Sequence, residues 1–583
     1  MTLRTLIRIP GSWMKPALYT LQAMSEICGL PIQMPGSESG TCTGALQYSL
    51  PSDQTKPEAI RAGFIVKMPF LASGEWPLPR PPPFADWKVR AYTWVSDGTT
   101  FYVRSPRWHL EKGEVLAQWD EDGMPAVVQS QTAQGTSIEF GMDPVASFFS
   151  LATQVDEELV DERDSHGRVP EHKTFPIASG VGGCPTASDS ALALGRAVQE
   201  ACTAADEFLL IKSPWPDEWR CVAAITHDID SIRKWIPRRI IGLVRGALED
   251  RGIRPLKANI ADVPNLIRRF GPVGDPHRNL RALGSLESTL QIHATYFVQM
   301  SAGRMHKEPL ALYGYRDRYL RGQVNRLAGE GHEIALHASY ESADRPETIA
   351  TEAYRLSVLG MPLGIRQHYL RIRPDMWRTY EGLDFAYDSS IGYSGFPGFR
   401  SGLCHPYHPY SGDERDSFSL LELPFAAMDS AIYAAAGGDT HQVKNVLERL
   451  GQAISCRRGL FISVWHNHYL DGTLVAPGSV LEWLVTYLKR SGWHFATLGE
   501  VANWWEAREA VKLFRIETDK WEVVCQRPIA ECPIQVVGRG EIEVANLPRD
   551  AWAISGEPPN RTVVFHRLVP SITVIVRRAA GTA

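Results

Sequence analysis

The chain has 583 residues, too many for one ordinary core, so two or three domains are expected. Its formal net charge is -5, from 61 Lys+Arg against 66 Asp+Glu, and with no long basic run it gives no support for a nucleic-acid partner. The 44% hydrophobic and 22% charged composition is that of a soluble globular chain, and no stretch of about 18 apolar residues offers a transmembrane segment.

The segment from Met1 to Gly11 lacks an apolar core of signal-peptide length. The nine Cys are scattered without a C-x-x-C pair, which argues for buried thiols rather than a zinc knuckle or redox pair. A reducing, cytoplasmic setting is the resulting expectation. The 17 Trp could stack on sugar rings, but most tryptophans simply fill cores.

Residues 1–215 read as an accessory mixed α/β region. Alternating segments predict strands at 89–95 and 100–103, the stretches 19–28 and 188–210 predict helices, and 77–83 predicts a polyproline-like loop. Residues 216–508 alternate strand-like and helix-like stretches, the sign of βα units. The candidate strands are 222–226, 294–299, 333–337, 364–368, 385–388, 420–424, 460–465 and 494–497. Helices are predicted at 317–330, 346–359, 440–453 and 479–491. This order fits an α/β architecture, a closed or nearly closed parallel barrel. The stretch 232–290 is too long for one connection and is expected to hold inserted helices near the entrance. Residues 509–583 break into short strand candidates at 521–525, 534–537, 541–544, 562–565 and 572–577. They predict a small all-β appendage, read as a structural cap rather than a sugar-binding module.

Several barrel strands end alike. The first apolar run stops at His227-Asp228-Ile229-Asp230, and later runs lead into His337, Arg366-Gln367-His368 and His466-Asn467-His468. Parallel α/β sheets place their active sites at the carboxyl ends of their strands. Asp228 and Asp230 are two residues apart, so on a strand they share a face; one can ligate a metal while the other acts as a general base. Each group alone has a simpler reading. Asp-x-Asp-Ser makes a good helix N-cap, and a lone histidine at a strand end is usually structural. Their coincidence at four strand ends is what points to a metal-assisted hydrolase.

The pattern resembles the polysaccharide deacetylases of the NodB-homology type, which fold as a distorted (β/α) barrel. Thr226-His227-Asp228-Ile229-Asp230 is similar to that family's first motif, Thr-Phe-Asp-Asp, and Ala294-Thr295-Tyr296-Phe297-Val298 to its Ala-Thr-Phe-Phe-Val strand. The run from Gly331 to His337 resembles the strand ending in a metal-binding histidine. Ile365-Arg366 resembles the third motif, and Val464-Trp465-His466 the final Leu-x-x-His. The resemblance covers the middle half of the chain and keeps the motif order; both flanks lie outside it.

The resemblance implies a divalent metal, zinc being the expected ion, held by Asp230, His337 and His368. It makes Asp228 the base, Arg366 the residue that orients it and His466 the general acid. Two departures leave alternatives open. The family's second motif is His-x-x-x-His, but Glu341 stands four residues after His337. His368 is preferred to Glu341 as third ligand because imidazole restores the usual set. The residue inserted between the two carboxylates leaves open which is the base, and chain order assigns Asp228. Asp388, Arg400 and His468 are candidate substrate contacts. Asp388 could equally tune His466 or be structural. The segment from Gly392 to Arg400, continuing to His405 and His408, is the candidate substrate loop.

The implied activity is removal of an N-acetyl group from an amino sugar or glycan in a bacterial polysaccharide pathway. Two other readings compete: an inactive carbohydrate-binding protein on the same fold, and a hydrolase of small C–N amides. An oligomeric state is not legible from the sequence.

Overall fold

In the computed structural model the described residues are 3–33, 44–50, 63–72, 86–110, 113–133, 135–216, 219–233, 275–301, 314–358, 360, 362–412, 416–517, 519–525, 529–568 and 571–578. The loop expected at 77–83 and residues 234–274 of the expected insertion lie outside them.

The central sheet runs in the order Leu421–Glu422, Tyr387–Asp388, Gly364–Gln367, Glu333–Ala338, Thr295–Val298, Cys221–Ile229, Leu460–His466, Ala427–Met428. Trp493–Phe495 pairs with the start of Cys221–Ile229, and these strands all pair in parallel with one another. The two edge strands are consecutive in the chain. Between them, the Leu423 amide donates to the Asp388 carbonyl at 2.8 Å and the Ala426 amide to the Ile462 carbonyl at 3.2 Å. One short segment therefore binds both edges, and the sheet curls as a barrel wall does.

Period-two alternation sets what each strand delivers. In Cys221–Ile229, residues Cys221, Ala223, Ile225 and Ile229 pack outward against the helices. Val222 and Ala224 pack inward with Phe297, Ala335 and Val464. The inward parity continues to Thr226 and Asp228, and on neighbouring strands it carries from Ala335 to His337 and from Val464 to His466. Gly364 opens its strand because a Cβ there would lie 1.8 Å from the Tyr387 ring.

The connecting helices begin where the sequence places capping residues. Asp317 accepts from the Tyr319 and Leu320 amides at the head of Arg318–Gly329. Asp439 caps Thr440–Ser455, Ser479 caps Val480–Arg490, and Thr497 forms a capping box with Glu500 for Leu498–Glu509. In Thr440–Ser455 the buried residues Val443, Val446, Leu447, Leu450 and Ile454 form one helical stripe against the sheet.

The N-terminal region is a nine-stranded sheet, parallel from Ile32–Gln33 through Leu3–Arg8, Gly44–Ser49, Phe64–Pro69 and Gly135–Phe140, then antiparallel. The helix predicted at 188–210 is Thr186–Ala204, and its end becomes the strand Leu209–Lys212. That strand pairs antiparallel with Ile529–Val537 of the C-terminal region. The C-terminal region comprises two four-stranded sheets, one of which includes Leu209–Lys212. Apolar residues from both ends of the chain join one core cluster, which includes Leu194, Leu210, Ile534 and Phe565. No helix among the described residues is long and apolar enough to cross a membrane.

Candidate active site

Asp228, Asp230, His337, His368, His466 and His468 line one cavity of 330 Å³ at the carboxyl edge of the curled sheet. One carboxylate, Asp230, stands at its centre. Its Oδ1 lies 3.2 Å from His337 Nε2 and 3.3 Å from His368 Nε2, and its Oδ2 lies 3.7 Å from His466 Nε2. Asp228 and His466 face each other in register on adjacent strands.

Each group has a defined support. Arg366 is fully buried; its Nη1 donates to Asp228 Oδ1 at 2.7 Å and to Thr226 Oγ1 at 2.9 Å. Its Nε and Nη2 donate to the carbonyl and hydroxyl of Ser389. His337 Nδ1 lies 3.0 Å from the Arg366 carbonyl, which can only accept, so Nδ1 carries a proton and Nε2 is the atom turned to the cavity. Asp429 accepts from the His466 amide at 2.7 Å and from His466 Nδ1 at 2.9 Å, leaving Nε2 towards Asp230.

The electrostatics follow from these contacts. Burial pushes the Asp228 carboxyl up, but Arg366, with help from His337 and His466, overrides it and holds the group below its ordinary value. Burial likewise opposes ionisation of Asp230, and His368, His337 and His466 hold it well below the carboxylate range. Burial lowers His368, whereas Asp228 and Asp230 outweigh burial at His337 and raise it. His466 is raised to about 10, because Asp429 more than offsets the burial that favours its neutral form.

Asp230, His337 and His368 can each offer a ligand atom within 4.8 Å of the others. His337 Nε2 is buried and makes no aligned hydrogen bond among the described residues. One carboxylate and two imidazoles, one of them already proton-anchored at Nδ1, suit a borderline divalent ion. The residues fit the group. Glu341 lies outside this cluster, in the helical turn Tyr340–Ala343.

The structure places two expected substrate contacts, Asp388 and Arg400, off the wall of this cavity. Asp388 is fully buried beside the site, accepting from Trp377 Nε1 at 3.0 Å and Ser390 Oγ at 2.5 Å, and it does not line the cavity. Arg400 is drawn away by Glu157, with Nη2 to Oε2 at 2.5 Å. Most of the expected substrate loop packs the same way. His405 is buried against Ser188 and the Arg457 carbonyl, His408 pairs with Glu509, and only Ser394 of the loop reaches the cavity wall.

Sequence reasoning missed three contributors. Asp429 follows the two-residue strand Ala427–Met428, and the signal was present: the apolar run from Leu423 to Met428 also ends at a carboxylate. His166 and Arg168 reach the cavity from the N-terminal region, about two hundred residues from the wall they touch, and no local pattern announces them.

No protein-family model matches the sequence, and no curated protein matches it. Among solved structures the chain is similar to a protein described as a novel carbohydrate deacetylase, at 9% identity over 99% of this chain and 98% of that one, with a TM-score of 0.36. It is also similar to Puue allantoinase, at 14% identity over 50% of this chain and 92% of that one, with a TM-score of 0.32. A third is a peptidoglycan N-acetylglucosamine deacetylase, at 14% identity over 49% and 89% of the two chains, with a TM-score of 0.27.

Proposed function

We propose that this protein is a zinc-dependent hydrolase that removes an N-acetyl group from an amino sugar or glycan. One observation carries the reading. The Asp230, His337 and His368 ligand atoms share a cavity with an arginine-held carboxylate and a carboxylate-held imidazole. That combination supplies a metal site, a base and an acid within one strand-end cluster. A pure binding protein has no need of a base and an acid held in register.

Asp230, His337 and His368 would hold a divalent ion, which when bound would supply Lewis acidity. Asp228 is the general base. Kept ionised and fixed in direction by Arg366, it takes the proton of the water that attacks the acetamide carbon. His466 is the general acid. Asp429 keeps it protonated, so its Nε2 can deliver a proton to the leaving amine as the C–N bond breaks and acetate departs. Burial of the Asp228–Arg366 pair excludes water from the base's flank and preserves its orientation.

The test is metal content together with acetate release from N-acetylglucosamine-containing substrates and from small amides. Wild type should hold stoichiometric zinc and release acetate from the sugar, and His337→Ala and His368→Ala should lose both. Absence of metal after reconstitution would return the protein to the carbohydrate-binding reading. Faster turnover of small amides would move it to the third reading.

A further inference from the structure

His337 and His368 are held in different ways. The His337 ring is fixed by its Nδ1 bond to the Arg366 carbonyl. His368 Nδ1 is buried with no hydrogen-bond partner among the described residues, so no such bond sets its ring. Apart from the Nε2 contact with Asp230 at 3.3 Å, its direction comes from the backbone and from packing.

The backbone there is unusual. Tyr369, with φ 58°, and Leu370, with φ 53°, are consecutive non-glycine residues in the left-handed region. Side chains of this bulk rarely adopt it, and the conformation persists only where surrounding structure enforces it. Leu370 is buried in the inner core of the barrel, and the polar ties on Tyr369 come from the N-terminal region. Arg168 Nη1 donates to the Tyr369 carbonyl at 2.8 Å and reaches Ser394 Oγ at 3.3 Å. Arg168 is itself anchored, its Nε donating to Asp164 Oδ2 at 2.8 Å while Asp164 Oδ1 accepts the His166 and Arg168 amides. A reciprocal tie runs back, from Arg371 Nε to the His166 carbonyl at 2.8 Å. The His166 ring packs 4.4 Å from Tyr369, whose ring lies 4.7 Å from His368.

We propose that Arg168 is a positioning residue for the metal site: by holding the Tyr369 carbonyl it fixes the left-handed turn that aims His368 at Asp230. The inference rests on the proposed function for the identity of the site and adds that the N-terminal region completes it. It also accounts for how a histidine at the end of Gly364–Gln367 can serve where local sequence supplies no second ligand after His337. Arginine suits the task because separate nitrogens of its planar fork, Nε and Nη1, bond Asp164 and the carbonyl, a spread that the single nitrogen of lysine does not reproduce.

The experiment uses the full chain with cobalt(II) as probe. Affinity is read by chelator competition and geometry by visible absorption, alongside kcat and KM. Arg168→Leu should weaken cobalt binding about 10–100-fold and alter the absorption, as loss of ligand-orienting partners does elsewhere. Arg168→Lys should recover part of the affinity. Turnover should return towards wild type at saturating metal, with KM for the sugar unmoved. Asp164→Asn, which leaves the arginine in place but weakens its anchor, should shift affinity in the same direction by less, and it serves if the leucine variant does not fold. Wild-type affinity and spectrum in both variants would overturn the inference, as would a change confined to KM. Failure of the wild type itself to bind cobalt would overturn the proposed function too, and His337→Ala, expected to abolish binding, separates the two failures.

Discussion

Asp429 holds His466 at two points, accepting its backbone amide at 2.7 Å and its Nδ1 at 2.9 Å. Orientation and protonation of the imidazole are therefore set by one carboxylate, which is almost fully buried. Burial favours the neutral ring, yet His466 stands at about 10 because Asp429 dominates, with smaller contributions from Asp230 and Asp228. Stability owed to this raised group is fully present below the unfolded value near 6.5 and is lost as pH rises through about 10. Asp429→Asn should lower kcat roughly 10–100-fold at neutral pH and move the alkaline limb of the rate profile to lower pH. An alkaline limb that stays put would remove His466 from the acid role.

Arg366 and Asp228 form a second buried pair at the site, 2.7 Å apart. Arg366→Met should raise the Asp228 carboxyl relative to wild type and shift the acid limb of the rate to higher pH. Breaking such a pair leaves an uncompensated buried charge and costs about 3–5 kcal/mol at neutral pH. The sign of the pH dependence follows. In wild type the depressed group adds stability that is lost only as pH falls through its folded value. In the variant the carboxyl is easier to protonate, so its deficit should shrink towards pH 4 and grow with rising pH. Urea unfolding at several pH values measures this, and a pH-independent deficit would contradict it.

Much of the site was legible because strand periodicity is short and strict. Asp228 and Asp230 share a face by being two residues apart, and the apolar runs before His337, Arg366 and His466 mark where buried strands end. Two boundaries moved by one residue, the strand expected at 333–337 being Glu333–Ala338 and the one at 460–465 being Leu460–His466, whereas 222–226 extends to Cys221–Ile229. Asp388 misled because it too ends a strand, but the strand is two residues long and its carboxylate turns to Trp377 and Ser390. Arg168 was invisible for a different reason. Its role is a contact between regions far apart in the chain, and sequence periodicity reports only on a residue's own element.

The metal ligands make a separable prediction. His337→Ala and His368→Ala should each abolish tight zinc binding, while Glu341→Ala should retain it. Loading the wild type should raise its thermal midpoint, since a ligand at about 100 times its Kd adds about 2.7 kcal/mol to the folded state. Chelator should reverse the shift. Loss of metal from Glu341→Ala with retention in His368→Ala would transfer the third ligand position to the glutamate.

The last prediction concerns the outward face of the same strand. His227 alternates with Asp228 and so points into the helix layer, where its Nε2 lies 2.7 Å from Glu287 Oε1 and its Nδ1 lies 3.1 Å from the Trp465 carbonyl. A carbonyl only accepts, so Nδ1 is protonated and the ring links Glu287 to the residue just before His466. Glu287 also accepts from Tyr296 at 2.5 Å, and all three side chains are fully buried. Glu287→Gln keeps an acceptor for Tyr296 and a polar side chain facing His227 Nε2, so it should cost about 1–2 kcal/mol. Glu287→Ala leaves two polar groups buried without that partner, His227 Nε2 and the Tyr296 hydroxyl, and should cost about 2–6 kcal/mol, at about 1–3 for each. The urea midpoints of the two variants decide it. Equal losses would mean that packing volume, rather than the hydrogen-bonded bridge, is what Glu287 provides behind the site.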